Sequence, residues 1–89
     1  MKVENFDDWY ELQNQLQKYK KEFPQFHKDF DVLENLIAGY IKRISQLSVN
    51  YNRNPSPAIR NRMQEYFDMI NAALKEFEKS YMMLLLTKK

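Results

Sequence analysis

Apolar residues recur along this chain at alternating steps of three and four, in two long runs that a short polar segment separates. This spacing keeps successive side chains on one stripe of an α-helix, so each run predicts helix with a packing seam. The first run extends from Trp9 to Tyr51, and the second extends from Ile59 to Leu84 with Ser80 as its only polar member. The pattern therefore predicts an all-α fold.

Caps and prolines divide these runs into helices. Asn5 is a good N-cap for the first helix, and Pro24 disfavours helical geometry in the residue before it. Ser56 followed by Pro57 is a strong helix start, because proline is favoured in the first turn. The segment 50–57 holds three Asn and two Pro and predicts a loop. The predicted helices cover about residues 6–23, 25–51 and 57–86.

The two runs on either side of the loop align as an antiparallel hairpin. Seven facing pairs follow from one register: Tyr51–Ile59, Leu47–Met63, Ile44–Tyr66, Tyr40–Ile70, Ile37–Ala73, Leu33–Phe77 and Phe26–Leu84. Ala38 and Gly39, the only glycine, fall opposite the segment 71–73 in this register, with Gly39 near Ala72. Glycine inside a helix costs about 1 kcal/mol relative to alanine, so we expect a close approach of the two backbones there.

Helix 3 carries a second apolar stripe beside its seam, formed by Phe67, Leu74 and Tyr81. A two-helix hairpin would leave this stripe in water, and helix 1 has the aromatic residues to cover it. We therefore predict a three-helix bundle built on a long antiparallel, coiled-coil-like hairpin, as one domain over residues 1–89. The alternative is one kinked rod of helices 1 and 2 whose first part pairs with a second subunit, because the seam keeps its phase through Pro24.

Length and composition are those of a small helical domain. The chain has 89 residues, of which 44% are hydrophobic, and it has no Cys, so neither disulfides nor thiolate metal sites are available. The first residues lack the apolar core of a signal peptide, and the longest apolar run, six residues from Tyr81, is too short to span a bilayer. We expect a cytoplasmic protein.

Residues for catalysis are few. His27 is the only histidine, and its acidic neighbours are expected at a helix start. No glycine-rich loop, nucleophile motif or metal-ligand spacing is present in the sequence. Small all-helical chorismate mutases have a similar size, but they need inward-facing basic residues on helices whose seams here are apolar. We expect no enzymatic activity, no cofactor, no metal and no small-molecule substrate.

Positive charge concentrates around the predicted loop. The segment 42–62 contains no acid and all four arginines. Arginine suits bidentate contact with phosphates or carboxylates, so this segment is a candidate anion-binding or partner-binding surface. We call its five members the arginine pole: Lys42, Arg43, Arg53, Arg60 and Arg62.

The end of helix 3 is apolar on every side, and one intramolecular groove buries only part of such a helix. Methionine adapts to irregular partner surfaces. We predict an oligomer or partner contact on this C-terminal apolar face, which consists of Tyr81, Met82, Met83, Leu85 and Leu86.

Two short motifs, Asp7-Asp8-Trp9 and Asn54-Pro55-Ser56-Pro57, match motifs of type III secretion needle subunits. The layout resembles those helical hairpins, and the resemblance implies an assembling secretion-apparatus subunit. The arm before the turn departs from that family, because it is longer, richer in aromatic residues and interrupted by Pro24.

The expected function is that of a small non-enzymatic interaction protein, adaptor-like or chaperone-like, and of phage or plasmid type as one option. It would bind a protein partner or form a homodimer through its helix faces. The alternative is a nucleic-acid-binding accessory protein that uses the arginine pole. A secretion-apparatus subunit is the lesser alternative.

Overall fold

Three α-helices account for most of the chain in a computed structural model, which describes the backbone of residues 2–86 and the side chains of residues 2–81. Between the first two helices lies a short 3-10 turn, and no strand occurs in residues 2–86. The predicted all-α fold is confirmed. The elements are α1 (Phe6–Glu22), the 3-10 turn (Pro24–Phe26), α2 (His27–Arg53) and α3 (Pro57–Leu86).

The start of α1 is capped as the sequence predicted. The Asn5 side chain accepts a hydrogen bond from the backbone N–H of Asp8 at 2.8 Å. The Asp8 carboxylate in turn accepts from the backbone N–H of Glu4 at 2.9 Å. The first bond satisfies an N–H group that a helix start leaves without a partner, and the second links the residue before the cap to the first turn. Asp7 and Asp8 also complement the helix dipole.

Pro24 reverses the chain direction. The backbone N–H of Phe23 closes α1 on the carbonyl of Tyr19 at 2.8 Å, and that of Phe26 bonds the carbonyl of Phe23 at 2.9 Å. The tight turn lets α2 begin at His27 and run back along α1, where the two helices pack against each other. The structure therefore has the folded-back bundle and not the continuous rod.

The connection between α2 and α3 is shorter than predicted. α2 continues to Arg53, and only residues 54–56 separate it from α3. The backbone N–H of Asn54 bonds the carbonyl of Asn50 at 3.0 Å, so the segment expected to be a loop closes the last helical turn. Tyr51 is half-buried against the start of α3, which favours helix over loop at this position.

One apolar cluster joins all three helices and the N-terminal segment. It has eleven buried members: Val3, Trp9, Leu12, Leu16, Phe30, Leu33, Ile37, Ile41, Ile44, Ile70 and Leu74. Two predicted seam positions, Tyr40 and Ala73, are only half-buried, whereas their neighbours Ile41 and Leu74 are buried. At these two positions the buried face is shifted by one residue from the predicted seam. The shift arises because α1 packs on one side of the hairpin, and the core lies between α1 and the hairpin.

Ring contacts between α2 and α3 also differ from the predicted pairs. Tyr40 contacts Tyr66, with ring centroids 6.0 Å apart, where the register paired it with Ile70. Phe26 contacts Tyr81 at 5.4 Å. Both contacts lie about one helical turn nearer to the start of α3 than the predicted partners do, because large rings reach along the groove.

The expected close approach at Gly39 is wrong. Gly39 is exposed, and a Cβ placed on it would meet no atom within 4 Å. Ala72 is exposed as well. The glycine therefore lies on an open outer face of α2, and no contact within the chain requires it.

The helices divide the molecule, which measures 46 × 20 × 19 Å, into two regions. The 17 residues of α1 cover only part of the longer hairpin. We call the covered part, residues 2–44 and 67–81, the base, and the two-helix end at residues 45–66 the tip. All fully buried side chains of the described residues lie in the base.

Candidate interaction surfaces

The arginine pole is exposed throughout, but its members do not converge on one site. Arg60 lines a cleft at the tip, and Arg53 ends α2 beside it. Lys42 lines a different groove, between α2 and the start of α1, where it lies with Trp9 and Tyr10. Lys42 and Arg53 are about 16 Å apart along α2, at 1.5 Å per residue.

Arg62 has partners on its own helix. Its guanidinium lies 3.6 Å from the Glu65 carboxylate and stacks over the ring of Tyr66 at 5.7 Å. Glu65 follows the acid-free segment directly, so it partly neutralises the pole. An exposed pair of this kind adds little stability, but it lowers the charge that Arg62 offers to an anion.

The cleft at the tip has a volume of about 460 Å³. Both polar and apolar side chains line it, and it lies where α2 meets the first turns of α3. Its lining residues are Tyr51, Pro55, Ser56, Pro57, Arg60, Asn61 and Gln64.

A groove of about 420 Å³ runs between α2 and α3 in the base. We call it the α2–α3 groove. Val32 and Leu36 form its α2 side, and Ala73 and Phe77 form its α3 side. The other lining residues are Asp29, Leu33, Glu76, Ser80 and Tyr81.

The α2–α3 groove contains the most exposed large apolar residue of α2, Val32. Val32 is 69% exposed and Leu36 is 45% exposed, and Met69 on α3 is 48% exposed. At 100° per residue, Leu36 and the α1-facing Ala38 lie on opposite sides of α2, so the groove faces away from α1. An apolar face of this kind, with no helix over it, is typical of an interaction surface.

The C-terminal apolar face is described at one position only. Tyr81 lies in the α2–α3 groove, and its ring stacks on Phe77 at 4.5 Å and meets the edge of Phe26. A hydrogen bond with Asp29 raises the pKa of the Tyr81 phenol, and burial adds to this shift. Its backbone departs from helical geometry. The side chains of Met82, Met83, Leu85 and Leu86 lie outside the described residues.

A charged cluster joins α1 to α2, and the sequence did not indicate it. Lys20 is only 10% exposed, and its ammonium bonds the carboxylates of Asp31 and, at 2.6 Å, Glu34. Burial lowers the pKa of Lys20, but the two carboxylates outweigh it and raise that pKa. The same bond lowers the pKa of Asp31. A lysine on one helix that faces two acids on the next helix gives no motif within a short stretch of sequence.

His27 belongs to the edge of this cluster. Its Nδ1 lies 3.2 Å from the Asp31 carboxylate one turn further along α2, and the ring is more than half exposed. Asp31 therefore joins His27 to Lys20. The arrangement links the start of α2 to the end of α1, so its geometry is suited to holding the two helices together.

The N-terminal segment is pinned to α3 by one side chain. The backbone N–H of Val3 donates to Asn71 Oδ1 at 2.7 Å, and Asn71 Nδ2 donates to the Val3 carbonyl at 2.9 Å. Val3 itself is 1% exposed. The amide of Asn71 thus pairs with a peptide unit as a neighbouring strand would, across 68 residues of chain.

Groups suited to catalysis or metal binding do not assemble in the described part of the chain. No cluster of three or more His, Asp or Glu side chains among residues 2–81 could hold a metal ion. Within the same residues, no helix combines the length and apolarity needed to cross a membrane. The described surface offers the α2–α3 groove, the groove between α2 and the start of α1, the cleft at the tip and scattered arginines.

Comparisons of the chain with models of protein families, with curated proteins and with solved structures found no match.

Proposed function

We propose that this chain is a small non-enzymatic helical interaction protein, which binds a protein partner or a second copy of itself through the α2–α3 groove. The observation that carries the proposal is the exposure of Val32, Leu36 and Met69 along one face of the base. Val32 and Leu36 line a preformed groove, and Met69 lies one helical turn before Ala73 of its α3 side. Burying these side chains would remove apolar surface from water.

The base supports such a role because the groove rests on a packed core. Leu33 and Ile37 of α2 and Ile70 and Leu74 of α3 are buried directly beneath it. Rigid helices hold the exposed residues in place, so a partner has little conformational entropy to remove on binding. The groove also contains Tyr81, the described member of the predicted C-terminal apolar face.

Site-specific photocrosslinking in the native host tests this proposal. We expect a photoreactive phenylalanine analogue at Leu36 to give a discrete protein adduct, of this chain or of another. Matched probes at Tyr10 and Val49 are equally exposed apolar positions outside the groove, at 59% and 51%. The proposal is contradicted if Leu36 gives no adduct, or if all three positions give the same adducts.

Nucleic-acid binding is the second candidate, and the cleft at the tip favours it. Arg60 and Tyr51 line this cleft, and Arg53 is exposed beside it. Phosphate contacts weaken steeply as salt rises, whereas an apolar contact does not. Replacing Arg53, Arg60 and Arg62 by Gln should therefore abolish salt-sensitive binding of an oligonucleotide and leave the melting temperature unchanged, if the tip is the binding surface. Salt-insensitive or unaltered binding would remove this candidate.

A further inference from the structure

We infer that the occupant of the α2–α3 groove is a second copy of this chain, packed so that the two α2 helices cross antiparallel at Leu36. The inference rests on the proposed function and names its partner. It follows from the order of charges along the outer face of α2, and from the position of Gly39.

The outer stripe of α2 is complementary to its own reverse. It reads Asp29, Val32, Leu36, Gly39 and Arg43, all exposed and spaced by threes and fours. Asp29 and Arg43 lie seven residues on either side of Leu36, which is about 10.5 Å along a helix. When a second copy is turned end to end about Leu36, each Asp29 faces the Arg43 of the other copy.

Both charges are available for such a pair. Arg43 has no ion pair among the described residues. Asp29 accepts a hydrogen bond from Tyr81, and a carboxylate has further lone pairs for a guanidinium. The twofold arrangement makes both pairs at once, because an isologous interface repeats every contact. A parallel arrangement would instead bring like charges together.

Gly39 completes the complementarity. Nothing within the chain fills the space where its side chain would be, and a glycine inside a helix costs about 1 kcal/mol relative to alanine. In the antiparallel crossing, Val32 of one copy lies opposite the level of Gly39 in the other. Val32 is the most exposed large apolar residue of the described chain, at 69%. A small residue at the crossing lets the two helices approach closely.

The α3 side of the groove extends the same contact. Ala73 lines the groove with Leu36, and Met69, which is half exposed, precedes Ala73 by one turn of α3. Turned about the same axis, α3 of one copy faces α3 of the other. The two hairpins therefore pack face to face as two layers of two helices, and Val32, Leu36 and Met69 are buried between the layers.

Reversing the charges tests this arrangement in purified protein. Sedimentation equilibrium should show a dimer for the native sequence. We expect Arg43→Asp and Asp29→Arg each to raise the dimer dissociation constant about tenfold or more, and the double reversal to restore it to within about threefold. Arg53→Asp, at an exposed tip position outside the stripe, is the matched control and should leave the constant unchanged.

Gly39→Leu gives a second test that misfolding cannot imitate. The Cβ has space in one chain and leucine is a better helix former, so the melting temperature of dilute protein should rise. The same side chain should block the crossing and leave the protein monomeric. A variant that is more stable and still dimeric would overturn the inference.

The inference and the proposed function can fail separately. A purified chain that stays monomeric at concentrations on the order of 100 μM overturns the second copy as occupant. Dimers that tolerate both single charge reversals overturn the antiparallel crossing. If Leu36 then crosslinks to a different protein in cells, the groove remains an interaction surface and only its occupant was wrong.

Discussion

The base and the tip of this molecule are built from the same two helices, but they are packed very differently. In the base, α1 and the N-terminal segment close a core with eleven buried side chains. In the tip, Leu47, Tyr51, Ile59 and Met63 continue the same seam, and each of them is only half-buried. Regular apolar spacing therefore builds a hairpin, and a third helix is needed to turn the hairpin into a core.

The difference has a consequence for function. The α2–α3 groove lies over the base, where buried residues hold both of its walls. Arg53, Arg60 and Arg62 lie in the tip, where the chain has less to hold it in one conformation. A rigid apolar face and a looser basic end are suited to different partners.

The largest expected effect comes from deleting the same side chain in the two regions. Leu74→Ala should lower the free energy of unfolding by about 2–5 kcal/mol, because Leu74 is completely buried in the base. Leu47→Ala in the tip should cost about 1 kcal/mol, because Leu47 is half-buried. Urea unfolding measures both values. Equal losses would mean that the tip is packed as well as the base.

Removing the N-terminal pin should have the next largest effect. Asn71→Leu leaves the N–H and carbonyl of Val3 without partners, which should cost about 1–3 kcal/mol. Asn61→Leu, at an exposed tip position, is the control and should change stability by less than about 0.5 kcal/mol. Amide exchange at Val3 should accelerate in the Asn71 variant alone. Unchanged exchange there would show that the pin does not form.

The Lys20 cluster predicts how the stability of the base depends on pH. The pKa of Asp31 is lowered from 3.8, so its contribution is present above that value and is lost as the pH falls through the lower, folded-state pKa. The pKa of Lys20 is raised from 10.5, so its contribution is present below that value and is lost as the pH rises through the higher, folded-state pKa.

Lys20→Met should therefore flatten both limbs of the stability profile, as thermal melts across the pH range would measure. Lys18→Met is the control, because Lys18 is exposed on the same helix and is not part of the cluster that Lys20 forms with Asp31 and Glu34. A Lys20 variant with the native acid limb would assign that limb to other carboxylates.

The smallest expected effect is a gain. Gly39→Ala should raise the free energy of unfolding by about 0.5–1 kcal/mol in dilute protein, because alanine favours helix and its methyl group meets no neighbour. Urea unfolding measures this as well. A loss of stability would contradict this account, because it would indicate a close approach of α2 and α3 at Gly39.

Local signals in the sequence predicted the helices well. A helix end depends on residues that lie within a few positions of it. The ends near Asn5, Pro24 and Pro57 could therefore be derived from spacing and chemistry alone. Only the loop was misjudged, since Asn50 and Asn52 suggested a turn and the contact of Tyr51 with the start of α3 favours helix.

The tertiary pairings could not be predicted in the same way. Val3 and Asn71 are 68 residues apart, and a lone asparagine in a helix has many uses. In the sequence, nothing distinguishes Lys20 from an exposed lysine, because Asp31 and Glu34 reach it only when α2 packs on α1. Gly39 was noticed, but its role was assigned within the chain because a single sequence does not show which side of a helix stays open.

The candidate surface shows the same division. Tyr81 was predicted on a partner face and lies in the α2–α3 groove. The sequence does not distinguish Val32 and Leu36 from the core, because each directly precedes a seam position and belongs to the same apolar run. Met69 likewise precedes Ile70. Their exposure depends on which side of the hairpin α1 covers, and a seam pattern does not contain that information.

Native-state hydrogen exchange tests the central claim most directly, namely that a rigid base carries the interaction surface while the tip opens more easily. We expect backbone amides of residues 30–44 and 67–77 to exchange only with global unfolding. Amides of residues 47–63 should exchange about a hundredfold faster, or more, through local opening. Uniform protection along α2 and α3 would contradict the division, and faster exchange beneath the α2–α3 groove than in the tip would contradict the proposed surface.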